Sequence, residues 1–139
     1  MDGTTTPSLL FVCNKNGGRS QMAAAWARSL GGDAVVVASA GVAPGTSLSA
    51  DVVTVLDELR LDTSEEFPKA VTEEMIRNAT VVVSLKRNLE LPPRIVGPRY
   101  EVWDLTDPDA VGLDGVRQTC EQIRIRVIAL LESLGVAHG

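Results

Sequence analysis

Histidine, cysteine and aromatic residues are all scarce in this chain of 139 residues, and each scarcity excludes something. With one histidine, His138 near the C-terminal end, and no cluster of cysteines, no metal site is visible. Cys13 and Cys120 are the only two cysteines, and the opening "MDGTTTPS" lacks the basic and apolar regions of a signal peptide. They therefore read as free thiols in a cytoplasmic protein, not as a structural disulfide. No apolar run approaches the roughly 20 residues that span a bilayer, so no membrane partner is expected. Basic residues number 13 against 18 acidic ones, a net charge of -5, which leaves no sequence-independent grip on nucleic acid. Repeats and low-complexity tracts are absent too. The proline and glycine clusters at 41 to 45, "GVAPG", and 92 to 98, "PPRIVGP", read as loops inside one domain covering 1 to 139. Residues 1 to 6 and 136 to 139 are expected to be flexible ends.

Apolar runs alternate with helical patterns, the signature of a parallel sheet covered by helices. Strands are expected at 8 to 12 "SLLFV", 34 to 38 "AVVVA", 80 to 84 "TVVVS" and 99 to 104 "RYEVWD". Helices are expected at 19 to 30, about 48 to 59, 72 to 77 and 114 to 134. In the last, Val116, Cys120, Ile123, Val127, Leu130, Leu131 and Leu134 recur at spacings of three, four and seven, so one apolar stripe should lie flat on the sheet.

Between the first strand and the first helix stands "CNKNGGRS", with Arg19 six residues after Cys13. Gly17 and Gly18 let the chain turn its amides inward, and the helix start adds unpaired N–H groups and the positive end of its dipole. Such a nest suits a tetrahedral oxyanion. The backbone amides of Asn14, Lys15, Asn16, Gly17, Gly18, Arg19 and Ser20 are its donors, and the Arg19 guanidinium offers a planar fork matching two oxygens. Cys13 at the same helix terminus favours the thiolate, the nucleophilic form, and the Ser20 hydroxyl can donate to that sulfur.

Three readings compete for this stretch. A cysteine closing a buried strand is commonly structural. The spacing also mimics the nucleotide-binding G-x-x-x-x-G-K-S, but Cys13 replaces the first glycine, Arg19 replaces lysine, and "TVVVS" ends without a magnesium-organising aspartate. The arginine and the glycine pair favour the third, a cysteine nucleophile on the floor of an oxyanion cradle.

Together with "SAGVAPG" at 39 to 45, "FPKAVTEEMI" at 67 to 76, "WDLTDP" at 103 to 108 and "VRQTCEQIRIRVIALLESL", the segment "VCNKNGGRSQMAAA" resembles the low-molecular-weight protein tyrosine phosphatases and the arsenate reductases built on the same scaffold. The resemblance covers nearly the whole chain and implies a three-layer α/β/α fold with a four-stranded parallel sheet flanked by helices. It gives Asp107, in "TDP", the role of general acid protonating the departing oxygen. An Asp-Pro pair is otherwise a turn or a helix start. It also implies that Asn16 helps hold the loop open and that Ser39 braces it from the next strand, although both suit ordinary turns.

Phosphotyrosine phosphatases of this family have aromatic pocket walls and tyrosines after the Asp-Pro; here "DPDA" follows. The small-anion reading, arsenate with phosphate or sulfate as analogues, is the better match, and "SQMAAA" and "YEVWDLTDP" look like the reductase branch. The thioredoxin-linked reductases carry two relay cysteines after the third strand, where this chain reads "SLKRNLELPPR" with none. Cys120 lies on the apolar stripe and is a poor substitute. The resemblance of "NGGRSQMAAA" to the mycothiol-using branch therefore implies mycothiol as co-substrate, with no bound cofactor, and a mycoredoxin-type redoxin as partner. Alternatives are a low-molecular-weight phosphatase and a non-catalytic oxyanion-binding homologue. Lys86 and Arg87 read as a solvated charged loop or as a welcome for an anionic cofactor or redoxin. Lys15 departs from the family, which has glycine there; a glycine-type backbone angle at that position would cost lysine about 1 to 2 kcal/mol.

Overall fold

The protein is described from a computed structural model that covers residues 6–64, 66–89, 91, 98–105 and 112–137. Four parallel strands, β1 (Ser8–Cys13), β2 (Val36–Gly41), β3 (Val81–Ser84) and β4 (Arg99–Val102), form one sheet in the order β2-β1-β3-β4. Four helices join them: α1 (Arg19–Gly31), α2 (Ala50–Glu58), α3 (Glu73–Asn78) and α4 (Gly112–Ser133).

The unbroken apolar run of β1 follows from its central place, because both of its faces are covered. Leu9, Phe11 and Cys13 point to the side where α1, α2 and α4 pack. Leu10 and Val12 point to the other, against Ile76 of α3. This period-two division makes the three layers. The stripe on α4 buries Cys120, Ile123, Val127, Leu130 and Leu131, with Val116 and Leu134 partly covered.

Two element boundaries differ from expectation for local reasons. α1 runs through Gly31, Gly32 then takes a left-handed φ of 53°, and Gly32–Ala34 make a short 3-10 turn. Strand β2 therefore begins at Val36 instead of residue 34, and it extends to Gly41. Strand β4 ends at Val102, beyond which the Trp103 N–H still donates to Ser84 O at 2.8 Å. The Trp103 ring turns inward to stand 5.8 Å from that of Phe11.

α4 closes with Gly135 at φ 72°, the Gly135 N–H on Glu132 O and the Val136 N–H on Leu131 O, a Schellman arrangement. Val136 is thereby buried. Among the described residues no helix is long and apolar enough to cross a membrane.

The chain leaves β1 toward β2 and later returns to β3 on the opposite side of β1. The strand order reverses between β1 and β3, and in such sheets the crevice at the carboxyl ends of the strands is where ligands bind.

Candidate active site

Cys13 ends β1 at this crevice, and residues 14 to 18 carry the chain to α1. The loop is shaped by what its carbonyls do. Those of Cys13, Asn14, Lys15 and Gly17 accept hydrogen bonds from the N–H groups of Val42, Ala43, Gly45 and Ser49, at 2.8 to 3.1 Å. A trans peptide points its N–H opposite to its C=O. Holding these carbonyls toward the 42–49 segment therefore turns the amides of Asn14, Lys15, Asn16 and Gly18 to the other side, as a concave row of donors.

Gly41 lets the two segments come this close. A Cβ there would lie 2.8 Å from Asn14 O and 2.9 Å from Asn16 N.

The Cys13 sulfur is buried and has two polar neighbours among the described residues. The Asn16 N–H donates to Sγ at 3.2 Å, and Ser20 Oγ lies 2.9 Å away. The network orients the Asn16 amide and leaves the Ser20 hydrogen available to the sulfur. Asn16 Oδ1 accepts the Lys69 N–H at 3.0 Å, so Asn16 Nδ2 is the group that donates to Ser20 Oγ, at 2.8 Å. The hydroxyl hydrogen of Ser20 is then free for Sγ.

Arg19 opens α1, and its guanidinium reaches across the crevice to Leu85 O, just past β3, at 3.4 Å. Cys13 and Arg19 line a pocket of about 400 Å³ whose far walls are Gly45, Ser47, Ser49 and Lys86. No aromatic side chain lines it among the described residues. Phe67 is exposed nearby, with the Lys69 ammonium 5.0 Å from its ring centre. Burial holds the Lys69 ammonium below the usual lysine range, with the Glu66 carboxylate opposing the shift.

Cys13, Asn14, Lys15, Gly17, Gly18 and Arg19 line one pocket, while Asn16 and Ser20 are buried beside the Cys13 sulfur and do not line it. Asn16, not Lys15, carries the left-handed backbone, at φ 54°. Lys15 is exposed at the pocket mouth and bears no such strain, so the anticipated steric cost falls away. Asparagine is among the residues that tolerate this conformation best.

Ser39 is buried, but its hydroxyl has no hydrogen-bond partner among the described residues. The expected brace is supplied instead by Gly41 and the amides of 42 to 49. Arg87 is engaged with Asp104 at 2.7 Å, leaving Lys86 as the lysine of that loop at the pocket. Asp107 and His138 lie outside the described residues. Cys120 accepts the Trp26 indole N–H at 3.3 Å beneath α4, and burial raises its pKa.

Sequence reasoning missed Gln21, Gly41, Ser47 and Ser49. A buried amide side chain in the first turn of an alanine-rich helix, and a glycine closing a strand, were the available signals for the first two.

A lone thiol on the floor of an amide nest, at the switch point of a parallel sheet, defines an oxyanion-handling cysteine enzyme of the α/β class. The chain belongs to the low molecular weight phosphotyrosine protein phosphatase family, which it matches over residues 8–137. A Halobacterium salinarum protein provisionally named an arsenate reductase is 32% identical over 139 residues, 95% of this chain and 96% of its own. A glutaredoxin arsenate reductase of Synechocystis is 30% identical over 128 residues, 91% of this chain and 97% of its own. Among solved structures, a thioredoxin-dependent arsenate reductase of Corynebacterium glutamicum superposes with a TM-score of 0.84 at 30% identity over 96% of this chain. The chain spans 64% of that protein's length.

Proposed function

We propose that the protein is an arsenate reductase whose Cys13 attacks arsenate and whose second thiol comes from outside the domain, with mycothiol as that thiol. The observation that carries this reading is the isolation of Cys13. The only other thiol within these 139 residues is Cys120, which is buried on α4 against Trp26 and does not line the pocket. An internal disulfide relay has no second partner here.

In the first step the loop amides and Arg19 hold the arsenate oxygens while the Cys13 thiolate forms an S–As bond. One As–O bond breaks, and that oxygen leaves as water after receiving a proton, the role assigned to Asp107. Mycothiol then attacks arsenic, displacing the Cys13 thiolate and carrying arsenic(V) away as a thiol adduct. A mycoredoxin-type thiol attacks the sulfur of that adduct. An S–S bond forms, the S–As electron pair stays with arsenic, and arsenite departs, so two thiols are oxidised for each arsenic reduced.

A pocket walled by Gly45, Ser47 and Ser49 supports a small anion over an aryl phosphate. Both cysteines are free, which suits the reducing cytoplasm. Relatives named for glutaredoxin and for thioredoxin make the thiol source the quantity to test. Arsenite release should be followed with mycothiol plus its redoxin, with glutathione plus glutaredoxin, and with thioredoxin. Turnover with the first system alone is expected. Turnover with thioredoxin alone contradicts the external small-thiol step, and hydrolysis of an aryl phosphate with no arsenite from any system makes the protein a phosphatase.

A further inference from the structure

The row of carbonyls that shapes the cradle is held by backbone amides at five places and by a side chain at a sixth. Cys13, Asn14, Lys15, Gly17 and Gly18 give their carbonyls to main-chain N–H groups. The Asn16 carbonyl instead accepts from Gln21 Nε2, at 3.0 Å. Gln21 is 2% exposed, and its Nε2 also donates to Phe67 O at 3.3 Å. Its Oε1 is buried with no hydrogen-bond partner among the described residues. Burying an unpaired amide oxygen is unfavourable, and a methionine would fill the same space without it, so packing alone does not account for an amide here.

The peptide that Gln21 holds joins Asn16, at φ 54°, to Gly17. Turning a peptide plane over changes ψ of the residue before it and φ of the residue after it, and glycine accepts either sign of φ. Gly17 and Gly18 each follow such a plane, but the carbonyl of the Gly17–Gly18 plane is held by the Ser49 main-chain N–H at 2.9 Å, whereas that of the Asn16–Gly17 plane depends on the Gln21 side chain. We propose that Gln21 is a positioning residue: by holding the Asn16 carbonyl outward it keeps the Gly17 N–H turned into the cradle as an oxyanion donor. Its bond to Phe67 O ties that orientation to the 66–69 segment, which also holds Asn16 through the Lys69 N–H. The inference requires only that the loop binds an oxyanion; it does not depend on arsenate or on any particular thiol.

The test is alkylation of Cys13 by iodoacetamide under rising inorganic phosphate, in the wild-type protein and in Gln21→Met, with thermal unfolding as the check on folding. One donor fewer to a charged oxyanion should weaken phosphate protection about tenfold in the variant. The rate without phosphate should stay within about twofold, because the Asn16 N–H and Ser20 Oγ bonds to Sγ lie outside the peptide in question. Unchanged protection overturns the proposal. Loss of both protection and unprotected reactivity also overturns it, since that marks collapse of the whole loop. If Gln21→Met does not fold, the wild-type protein decides through amide NMR. The Gly17 proton should shift downfield with phosphate alongside those of Asn14, Lys15 and Gly18, and a Gly17 signal that stays put while the others move is the contrary result.

Discussion

Asn16 places its backbone N–H on the sulfur of Cys13 at 3.2 Å while its own backbone stands at φ 54°. Rotation about the Asn16 N–Cα bond acts downstream of that N–H, so the left-handed φ steers the chain on toward Gly17 from a residue already hydrogen-bonded to the sulfur. The side chain then secures the turn by bonding Ser20 Oγ and the Lys69 N–H.

Replacing Asn16 separates these contributions. Asn16→Gly keeps the backbone conformation free of strain and loses the two side-chain bonds. Asn16→Ala loses the same bonds and adds a left-handed penalty of about 1 kcal/mol. Urea unfolding should therefore rank wild type above Asn16→Gly and Asn16→Gly above Asn16→Ala, with the two variants about 1 kcal/mol apart.

Ser20 Oγ accepts from Asn16 Nδ2 and lies 2.9 Å from Cys13 Sγ, with its own hydrogen available to the sulfur. Ser20→Ala removes the hydroxyl that contacts the nucleophilic sulfur and leaves Asn16 Nδ2 buried without its acceptor. Alkylation of Cys13 at neutral pH should slow by about tenfold, and stability should fall by about 1 to 3 kcal/mol. Stopped-flow alkylation and urea unfolding check the two parts separately.

At Gly41 the constraint is purely steric. A methyl group would come within 2.9 Å of Lys15 C as well as of Asn14 O and Asn16 N, all of them backbone. Gly41→Ala should push the loop away from β2 and cost about 1 to 3 kcal/mol. It should also reduce arsenate turnover more than tenfold, because the carbonyls at 13 to 15 lose their partners at 42 to 45. Steady-state kinetics beside thermal unfolding reads both effects.

The two thiols should differ sharply in reactivity. Burial raises the pKa of Cys120, the Trp26 N–H only partly offsetting it, so at neutral pH the thiol stays protonated and alkylates slowly. Mass spectrometry after brief iodoacetamide treatment should show one adduct, on Cys13. Cys13→Ser should abolish arsenite release with the fold intact, whereas Cys120→Ser should retain it.

Arg19 contributes a fork of donors that a lysine supplies only as a point charge. Arg19→Lys should raise KM for arsenate by about tenfold with little change in thermal midpoint.

Much of this was legible in the sequence because it is local. Apolar runs and the 3.6-residue stripe fixed β1, β3 and α4 to within a few residues. The cysteine, the glycine pair and the arginine marked the cradle by their spacing alone. The start of β2 was misplaced because nothing in "GGDAVVV" shows that α1 uses Gly32 as its left-handed end.

The loop's supports were illegible for a different reason. They join residues 27 to 53 positions apart: Gly41 backs Asn14, Val42 holds Cys13, and Lys69 reaches Asn16. Only the register of β2 against β1, with Cys13 beside Gly41, brings them together. The family pattern assigned bracing to Ser39 by analogy, whereas the close approach of two backbones requires the glycine two residues later.

The most direct test of the lone-thiol account is a single turnover. Reduced protein is mixed with one equivalent of arsenate and no added thiol, and arsenite and disulfide are measured before and after a low-molecular-weight thiol and its redoxin are supplied. The account predicts no arsenite and no disulfide in the first stage and arsenite in the second. One equivalent of arsenite in the first stage, with a disulfide linking Cys13 to Cys120, would contradict it.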